Sequence, residues 1–131
     1  MIVLDTHAWV FYVSEPESLS KRARRRIEKE IAKRDAWISA MSAWEVAMLA
    51  ARGRLRLSVA VEDWIARAES VPGLATVPVD TNVAVRSVTL PAGYPADPAD
   101  RIIAATALSL GADLVTKDRN LRRIDGLPTV W

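Results

Sequence analysis

The chain opens with Met1-Ile2-Val3-Leu4-Asp5, a short apolar run followed directly by an acidic residue. A continuous apolar run of this length is typical of a central strand in a parallel sheet, because helices cover both faces of such a strand. An aspartate placed directly after it either caps the next helix or belongs to a site at the carboxyl edge of the sheet. We therefore expect further strands, each followed by a helix.

Alternating strand and helix patterns continue along the chain. Further strands are predicted at Ala36 to Ser39, Ala75 to Val79, Asp113 to Thr116 and, as an edge strand, Thr129 to Trp131. Helices are predicted at Thr6 to Val13, Ser20 to Arg34, Ala40 to Ala51, Val59 to Ser70, from Asp80 onward, and from Pro98 to Leu110, where Gly111 ends the helix. Prolines and a glycine predict a loop from Leu90 to Pro95. The pattern predicts an α/β protein with a three-layer α/β/α fold around a mostly parallel sheet of four or five strands.

Length and composition favour one globular domain over residues 1–131, of which 50% are hydrophobic. The absence of cysteine excludes disulfides, thiolate nucleophiles and cysteine-ligated zinc. Nothing resembles a signal peptide or a membrane span, so we expect a cytoplasmic protein. The net charge is +2, from 18 basic and 16 acidic residues. If four acids bind a metal, 12 remain against 18 bases, and this surface can attract a polyanion.

Four acids fall where a predicted strand stops or a helix begins: Asp5, Glu45, Asp100 and Asp118. In an open α/β sheet these positions share one edge, so the four side chains can meet there. Carboxylates that meet without a counter-charge repel one another, and a hard cation such as Mg²⁺ or Mn²⁺ removes that repulsion. A cation held in this way can also bind phosphate, so the pattern predicts metal-assisted cleavage of a phosphodiester.

Each of these acids also has a purely structural interpretation. Asp100 would stand at the third position of its helix, where a carboxylate is favoured by the helix dipole. Ser42 and Glu45 fit a capping box. Asp118 could cap a last short helix, and Asp5 could cap the helix that follows it. Four unrelated caps have no reason to share one edge of a sheet, and this convergence favours a common site.

Several short motifs together resemble PIN-domain ribonuclease toxins of the VapC type over essentially the whole chain. They are Leu4-Asp5-Thr6-His7, Ser39 to Glu45, Gly53 to Leu57, Asp97-Pro98-Ala99-Asp100-Arg101 with Ala104 to Ala107, Leu114 to Asp118, and Val130-Trp131. The resemblance implies an endoribonuclease dependent on Mg²⁺ or Mn²⁺, a homodimer, and a small VapB-type antitoxin as partner. It also implies products with 5′-phosphate and 3′-hydroxyl ends, made by a metal-activated water.

Carried over residue by residue, the family's acidic quartet falls on Asp5, Glu45, Asp100 and Asp118. We expect all four to serve as catalytic metal-site residues, with Asp5 and Asp100 as the principal ligands. The resemblance also places substrate-binding hydroxyls at Thr6 and Thr116. Gly93 to Ala96 departs from relatives that have a histidine before the Asp-Pro pair, which bears on the choice of RNA.

Acids outside the quartet are interpreted as caps or surface groups. These are Asp80, Asp97, Asp113 and Asp125, with Asp97 a candidate for supporting the metal ligands from behind.

Other features have a less definite meaning. His7 is the only histidine, so a nuclease mechanism with two histidines is excluded, and His7 is expected to be structural or accessory. The basic helix from Lys21 to Arg34 can meet RNA or an antitoxin, or form a solvated face with the pairs Arg24–Glu28 and Glu30–Arg34. Five tryptophans are expected mainly in the core or in dimer contacts.

Two other functions fit parts of the sequence. A receiver-type phosphoacceptor would use Asp5 after the first strand and Asp80 after the third, but Thr6 stands where receivers need a second acid. A PIN-like module that only binds protein or nucleic acid would retain the acids as structural groups. The intact quartet argues against both.

Overall fold

A five-stranded parallel sheet forms the centre of the protein. The computed structural model describes residues 1–91 and 97–131. The strands are β1 (Ile2–Leu4), β2 (Ala36–Ser39), β3 (Leu74–Val77), β4 (Asp113–Val115) and β5 (Thr129–Val130). Their order is β3-β2-β1-β4-β5, and all neighbouring pairs are parallel. The predicted α/β class and the fifth strand are confirmed, although β3 begins and ends earlier than predicted.

Six α-helices of the described residues connect and cover the strands. They are α1 (Thr6–Ser14), α2 (Lys21–Ala32), α3 (Ala40–Ala51), α4 (Val61–Glu69), α5 (Thr81–Ser87) and α6 (Pro98–Leu110). The predicted end of α6 is confirmed, because Gly111 adopts a left-handed φ of 64°. Of the predicted loop from Leu90 to Pro95, residues 92–96 lie outside the described residues.

Alternation along β1 explains the three layers. Ile2 and Leu4 are fully buried in the core that contains Trp9 on α1 and Ile27 on α2, whereas Val3 is fully buried on the opposite face with Ile103 of α6. Each large apolar side chain buried in this way contributes about 1.5–3 kcal/mol of transfer free energy. Burial of both faces therefore holds β1 in the centre of the sheet, and this fixes the position of Asp5, the residue that follows the strand.

The carboxyl edge of the sheet brings distant segments together. Leu4 is in register with Ile38 of β2 and with Val115 of β4, so the residues after these strands emerge side by side. The backbone N–H of Asp5 donates to the carbonyl oxygen of Val115 at 3.1 Å. Asp5 and the residues after β4 are thus joined at this edge.

Charged groups gather at the opposite, amino edge. The carboxylate of Glu30 is buried and accepts from the Met1 amino group at 3.2 Å and from Arg26 at 3.0 Å, and Arg26 also pairs with Asp113 at 2.9 Å. The predicted Arg24–Glu28 pair is present at 3.0 Å. The predicted Glu30–Arg34 pair is wrong, because the carboxylate of Glu30 is already engaged by Arg26 and the amino terminus.

No helix within the described ranges is both long enough and apolar enough to cross a bilayer.

Candidate active site

Asp5 combines a structural and a chemical position. One carboxylate oxygen caps α1 by accepting from the N–H of Ala8 at 2.8 Å, and the residue is only 5% exposed. Burial raises the pKa of Asp5, and hydrogen bonds from Thr116 and Ala8 oppose that rise without cancelling it. The structural interpretation of Asp5 as a cap is therefore correct, but capping leaves a second carboxylate oxygen for other use.

Thr116 links Asp5 to the segment after β4. Its side chain is fully buried and forms a hydrogen bond with the Asp5 carboxylate, and its hydroxyl oxygen accepts from the N–H of Asp118 at 3.0 Å. Asp118 in turn accepts from the N–H of Asn120 at 2.7 Å. The predicted helix cap at Asp118 is wrong, since the short 3-10 helix Leu121–Arg123 begins after Asn120. Asp118 instead stabilises a turn that directs it toward Asp5.

Glu45 lies inside its helix and not at the start. The N-cap of α3 is Ser39, whose hydroxyl accepts from the N–H of Met41 at 3.1 Å. The capping-box interpretation is therefore wrong. Ser42 uses its hydroxyl differently, as the acceptor of a bond from Thr6 at 3.1 Å. Glu45 is 9% exposed, and its side chain has no part in ending or starting the helix.

Asp97 and Asp100 stand together at the start of α6. Asp97 is the N-cap, as its position before Pro98 predicted, and accepts from the N–H groups of Ala99 at 2.8 Å and Asp100 at 3.3 Å. Carboxylate oxygens of Glu45, Asp97 and Asp100 all lie within 4.8 Å of one another. Asp97 therefore belongs to the acidic cluster itself, whereas its sequence position had suggested only a place behind the ligands.

Asp100 experiences the charge of every other acid at this edge. Burial is the main reason that its pKa is raised to about 7, and the neighbouring charges of Asp97, Glu45, Asp118 and Asp5 raise it further. All members of the predicted quartet are thus close enough to interact, with Asp97 as a fifth acid. Asp5 and Asp118 line a pocket of about 350 Å³ together with His7 and Lys117.

The arrangement fits a hard divalent cation. Its donors are carboxylate oxygens, which Mg²⁺ and Mn²⁺ favour, and the negative charges of the neighbouring acids add to burial in raising the pKa of Asp100. A cation placed among Glu45, Asp97 and Asp100 would offset that charge.

The raised pKa of Asp100 leads to a stability prediction for the metal-free protein. Because the folded-state pKa of about 7 exceeds the usual 3.8, the stabilising contribution of Asp100 is complete below pH 4 and is lost as the pH rises through 7. An amide side chain at this position carries no charge, so Asp100→Asn should stabilise the protein in EDTA at pH 8 by roughly 1–3 kcal/mol, allowing for solvent screening.

Urea denaturation of both proteins at pH 5 and pH 8 measures this effect. Asp63→Asn, which removes an exposed carboxylate from α4, is the matched control and should follow the wild type. An Asp100→Asn variant no more stable than the wild type at pH 8 would show that the acids do not repel one another as described.

The chain is similar to known proteins in both sequence and fold. The model of the PIN domain family matches residues 2–127. The chain is 41% identical to Ribonuclease VapC22 of Mycobacterium tuberculosis, with 99% of this chain and 98% of the relative covered. It is also similar to a DNA-bound VapBC complex from Salmonella typhimurium, with 26% identity, a TM-score of 0.70, and coverage of 98% and 95% of the two chains.

A second solved structure has the same fold. VapBC2 of Rickettsia felis, bound to a promoter DNA fragment, gives a TM-score of 0.71 at 18% identity, with 98% and 97% of the two chains covered. The family match over nearly the whole chain and the 41% identity settle the assignment. The chain therefore belongs to the PIN-domain family and, within it, to the VapC-type ribonucleases.

Proposed function

We propose that the protein is a metal-dependent endoribonuclease that acts as the toxin of a toxin-antitoxin pair. One observation carries the proposal. Three carboxylates lie within 4.8 Å of one another, and two more are close enough to shift the pKa of the central Asp100. An enzyme that hydrolyses phosphodiesters with the help of a divalent cation needs such a cluster. Local caps and a turn use Asp5, Asp97 and Asp118 one by one, but they do not explain why these acids lie beside Glu45 and Asp100.

The ligand set favours Mg²⁺, with Mn²⁺ as a substitute. Glu45, Asp97 and Asp100 would hold the cation, and Asp5 and Asp118 would complete the site from the adjacent strand ends. When bound, such a cation supplies positive charge that acidifies a water molecule and offsets the charge of the phosphate. Compared with the quartet expected from the sequence, this proposal adds Asp97 as a ligand and gives Glu45 the principal place that was expected of Asp5.

The two threonines are proposed to position the acids. Thr6 is buried and its hydroxyl donates to Ser42, which joins α1 to the helix that carries Glu45. Thr116 is buried and bonded to both Asp5 and the N–H of Asp118. Buried hydroxyls engaged in this way are better suited to orienting carboxylates. The sequence had instead suggested that both threonines bind substrate.

Hydrolysis at this site should use water as the nucleophile. Water attacks the phosphorus and the 3′ oxygen leaves, so the products carry a 5′-phosphate and a 3′-hydroxyl. The alternative attack by the 2′-hydroxyl is promoted by a pair of histidines in other ribonucleases, and this chain has a single histidine. The ends of the RNA fragments therefore report the mechanism.

Cleavage of a structured RNA tests the proposed activity. Mg²⁺ and Mn²⁺ should support cleavage, EDTA should stop it and added Mg²⁺ should restore it, while Ca²⁺ should bind but support little turnover. Asp100→Asn should lower the rate at least about 100-fold, because it removes a central ligand charge, and Asp63→Asn should not change it. Robust cleavage in EDTA, or products ending in 2′,3′-cyclic phosphate, would contradict the mechanism.

Toxicity and neutralisation are proposed from the similarity to VapBC complexes. The Salmonella VapBC structure is 26% identical to this chain over 98% of its length. An antitoxin could neutralise the site electrostatically, with an arginine or lysine that enters the acidic cluster in place of the metal. The antitoxin would be of the VapB type and encoded beside the toxin.

Expression in a bacterial host should arrest growth. Asp100→Asn should relieve the arrest, as should co-expression of the adjacent small open reading frame, and Asp63→Asn should remain toxic. Plating efficiency after induction measures all four cases, with protein levels compared on immunoblots. Normal growth with abundant folded wild-type protein would argue strongly against a toxin.

A homodimer is proposed from exposed apolar side chains. Trp44 on α3 is 53% exposed, and Val85 and Val88 at α5 are 59% and 66% exposed, while both helices pack against α6. Burial of these side chains against a second copy would remove them from water. In sedimentation analysis Val85→Asp should shift the protein to monomer, whereas Ala66→Asp, at an exposed position of α4, should not. A monomeric wild type would contradict the proposal.

The receiver-type alternative has little support. Asp80 follows β3, an edge strand of the sheet, and its carboxylate caps α5 by accepting from the N–H of Val83 at 2.9 Å. Asp80 is thus distant in sheet order from Asp5 after β1 and is engaged in a local structural bond. A non-catalytic binding module is distinguished only by the cleavage assay.

A further inference from the structure

A mixed-charge pocket adjoins the acidic cluster. The pocket of about 350 Å³ is lined by Asp5 and Asp118 on one hand and by His7 and Lys117 on the other. Its volume is at the lower end of cavities that hold small ligands. The acids serve the proposed metal site, but that site does not explain the exposed imidazole and ammonium groups beside it.

Lys117 is held in place without being neutralised. Its ammonium nitrogen lies 4.9 Å from the centre of the Phe11 ring, a favourable cation–π arrangement. Among the described residues, no ion pair involves Lys117. The lysine is exposed and keeps its positive charge available to a ligand.

The aromatic side chain of Phe11 contacts both basic residues of the pocket, His7 and Lys117. The Phe11 ring lies 6.2 Å from His7 and 6.4 Å from Trp131, centre to centre. The Phe11 ring thus contacts His7, Lys117 and Trp131, the last residue of the chain. Side chains ordered before a ligand arrives lose less conformational entropy on binding, so this support favours a binding surface.

Positive charge continues along the chain from Lys117. Residues 117–123 contain four basic side chains, all exposed, and one acid, Asp118. The basic residues are Lys117, Arg119, Arg122 and Arg123. This segment begins beside Asp5 and Asp118, whereas Arg26 of the basic helix α2 pairs with Glu30 and Asp113 at the opposite, amino edge of the sheet. The segment 117–123 is therefore better placed to attract a polyanion to the acidic edge than the helix singled out from the sequence.

We propose that the His7–Lys117 pocket binds the RNA nucleotide next to the scissile phosphate. The ammonium group of Lys117 contacts the flanking phosphate, and the imidazole of His7 offers a face on which the base stacks. Arg119, Arg122 and Arg123 attract the strand beyond it. This inference rests on the proposed ribonuclease function and names the residues that hold the substrate beside the acids.

The salt dependence of RNA binding tests the proposed roles of Lys117 and His7. The probe is a fluorescein-labelled oligoribonucleotide that spans a site cleaved by the wild type, and Asp100→Asn is the common background that prevents cleavage. Lys117→Gln should weaken binding about 5- to 10-fold at about 50 mM salt and lower the slope of log K against log salt by about 0.7. His7→Ala should weaken binding several-fold with an unchanged slope, because stacking releases no counterions. Lys29→Gln, at an exposed position of α2, should match the background.

A chemically neutral phosphate identifies the contact. A methylphosphonate at the phosphate that flanks the scissile one should weaken binding by the background protein, but should cause no further loss in the Lys117→Gln variant. Methylphosphonates two or more positions away should weaken RNA binding by both proteins equally. Additive losses at the flanking phosphate would overturn the assignment of Lys117.

The outcomes separate this inference from the proposed function. If the wild type cleaves RNA while Lys117→Gln binds with unchanged affinity and slope, the pocket assignment is wrong and the ribonuclease remains. If Lys117→Gln weakens only the antitoxin complex, the pocket is a protein contact and the inference is overturned. If the wild type neither binds nor cleaves RNA, both proposals fail.

Discussion

Repulsion among carboxylates at one edge of the sheet governs how the rest of the molecule is built. Burial, together with the charges of four other acids that come from this edge, raises the pKa of Asp100 to about 7. Such a cluster opposes folding, so other parts of the chain must hold it in place. The burial of β1 on both faces, with Ile2, Val3 and Leu4 fully buried, supplies the rigid base. The free energy of the core thus offsets an unfavourable electrostatic arrangement, which the proposed cation would relieve.

Local hydrogen bonds divide the acids into different structural roles. Asp5 and Asp97 cap helices with one carboxylate oxygen each, and Asp118 stabilises a turn. Within the described parts of the chain, the side chains of Glu45 and Asp100 cap no helix and stabilise no turn. An acid that caps a helix is fixed in direction and still has lone pairs that can bind a ligand. Capping and metal binding are therefore compatible in this site. From the sequence alone the two roles were treated as alternatives, but one acid can fill both.

The sequence predicted the parts of the structure that follow from local periodicity and edge geometry. Apolar runs located β1, β2 and β4, and the acids after them converge because parallel strands end at one edge. The sequence could not show that Asp97 comes close to Glu45, because that distance depends on how α6 packs beside α3. The capping box at Ser42 failed for a related reason: Ser39 begins the helix three residues earlier, and a tertiary bond from Thr6 occupies Ser42. The pocket of His7 and Lys117 likewise depends on Phe11 and Trp131, which meet from near the two ends of the chain.

The proposed activity requires that Glu45, Asp97 and Asp100 surround a divalent cation. Anomalous diffraction from a crystal soaked in Mn²⁺, recorded on both sides of the manganese absorption edge, is the decisive test of this arrangement. We predict one strong peak within coordination distance of oxygens from all three residues, and its loss in Asp100→Asn crystals soaked in the same way. A peak elsewhere, or equal peaks in the wild type and the variant, would contradict the proposed site.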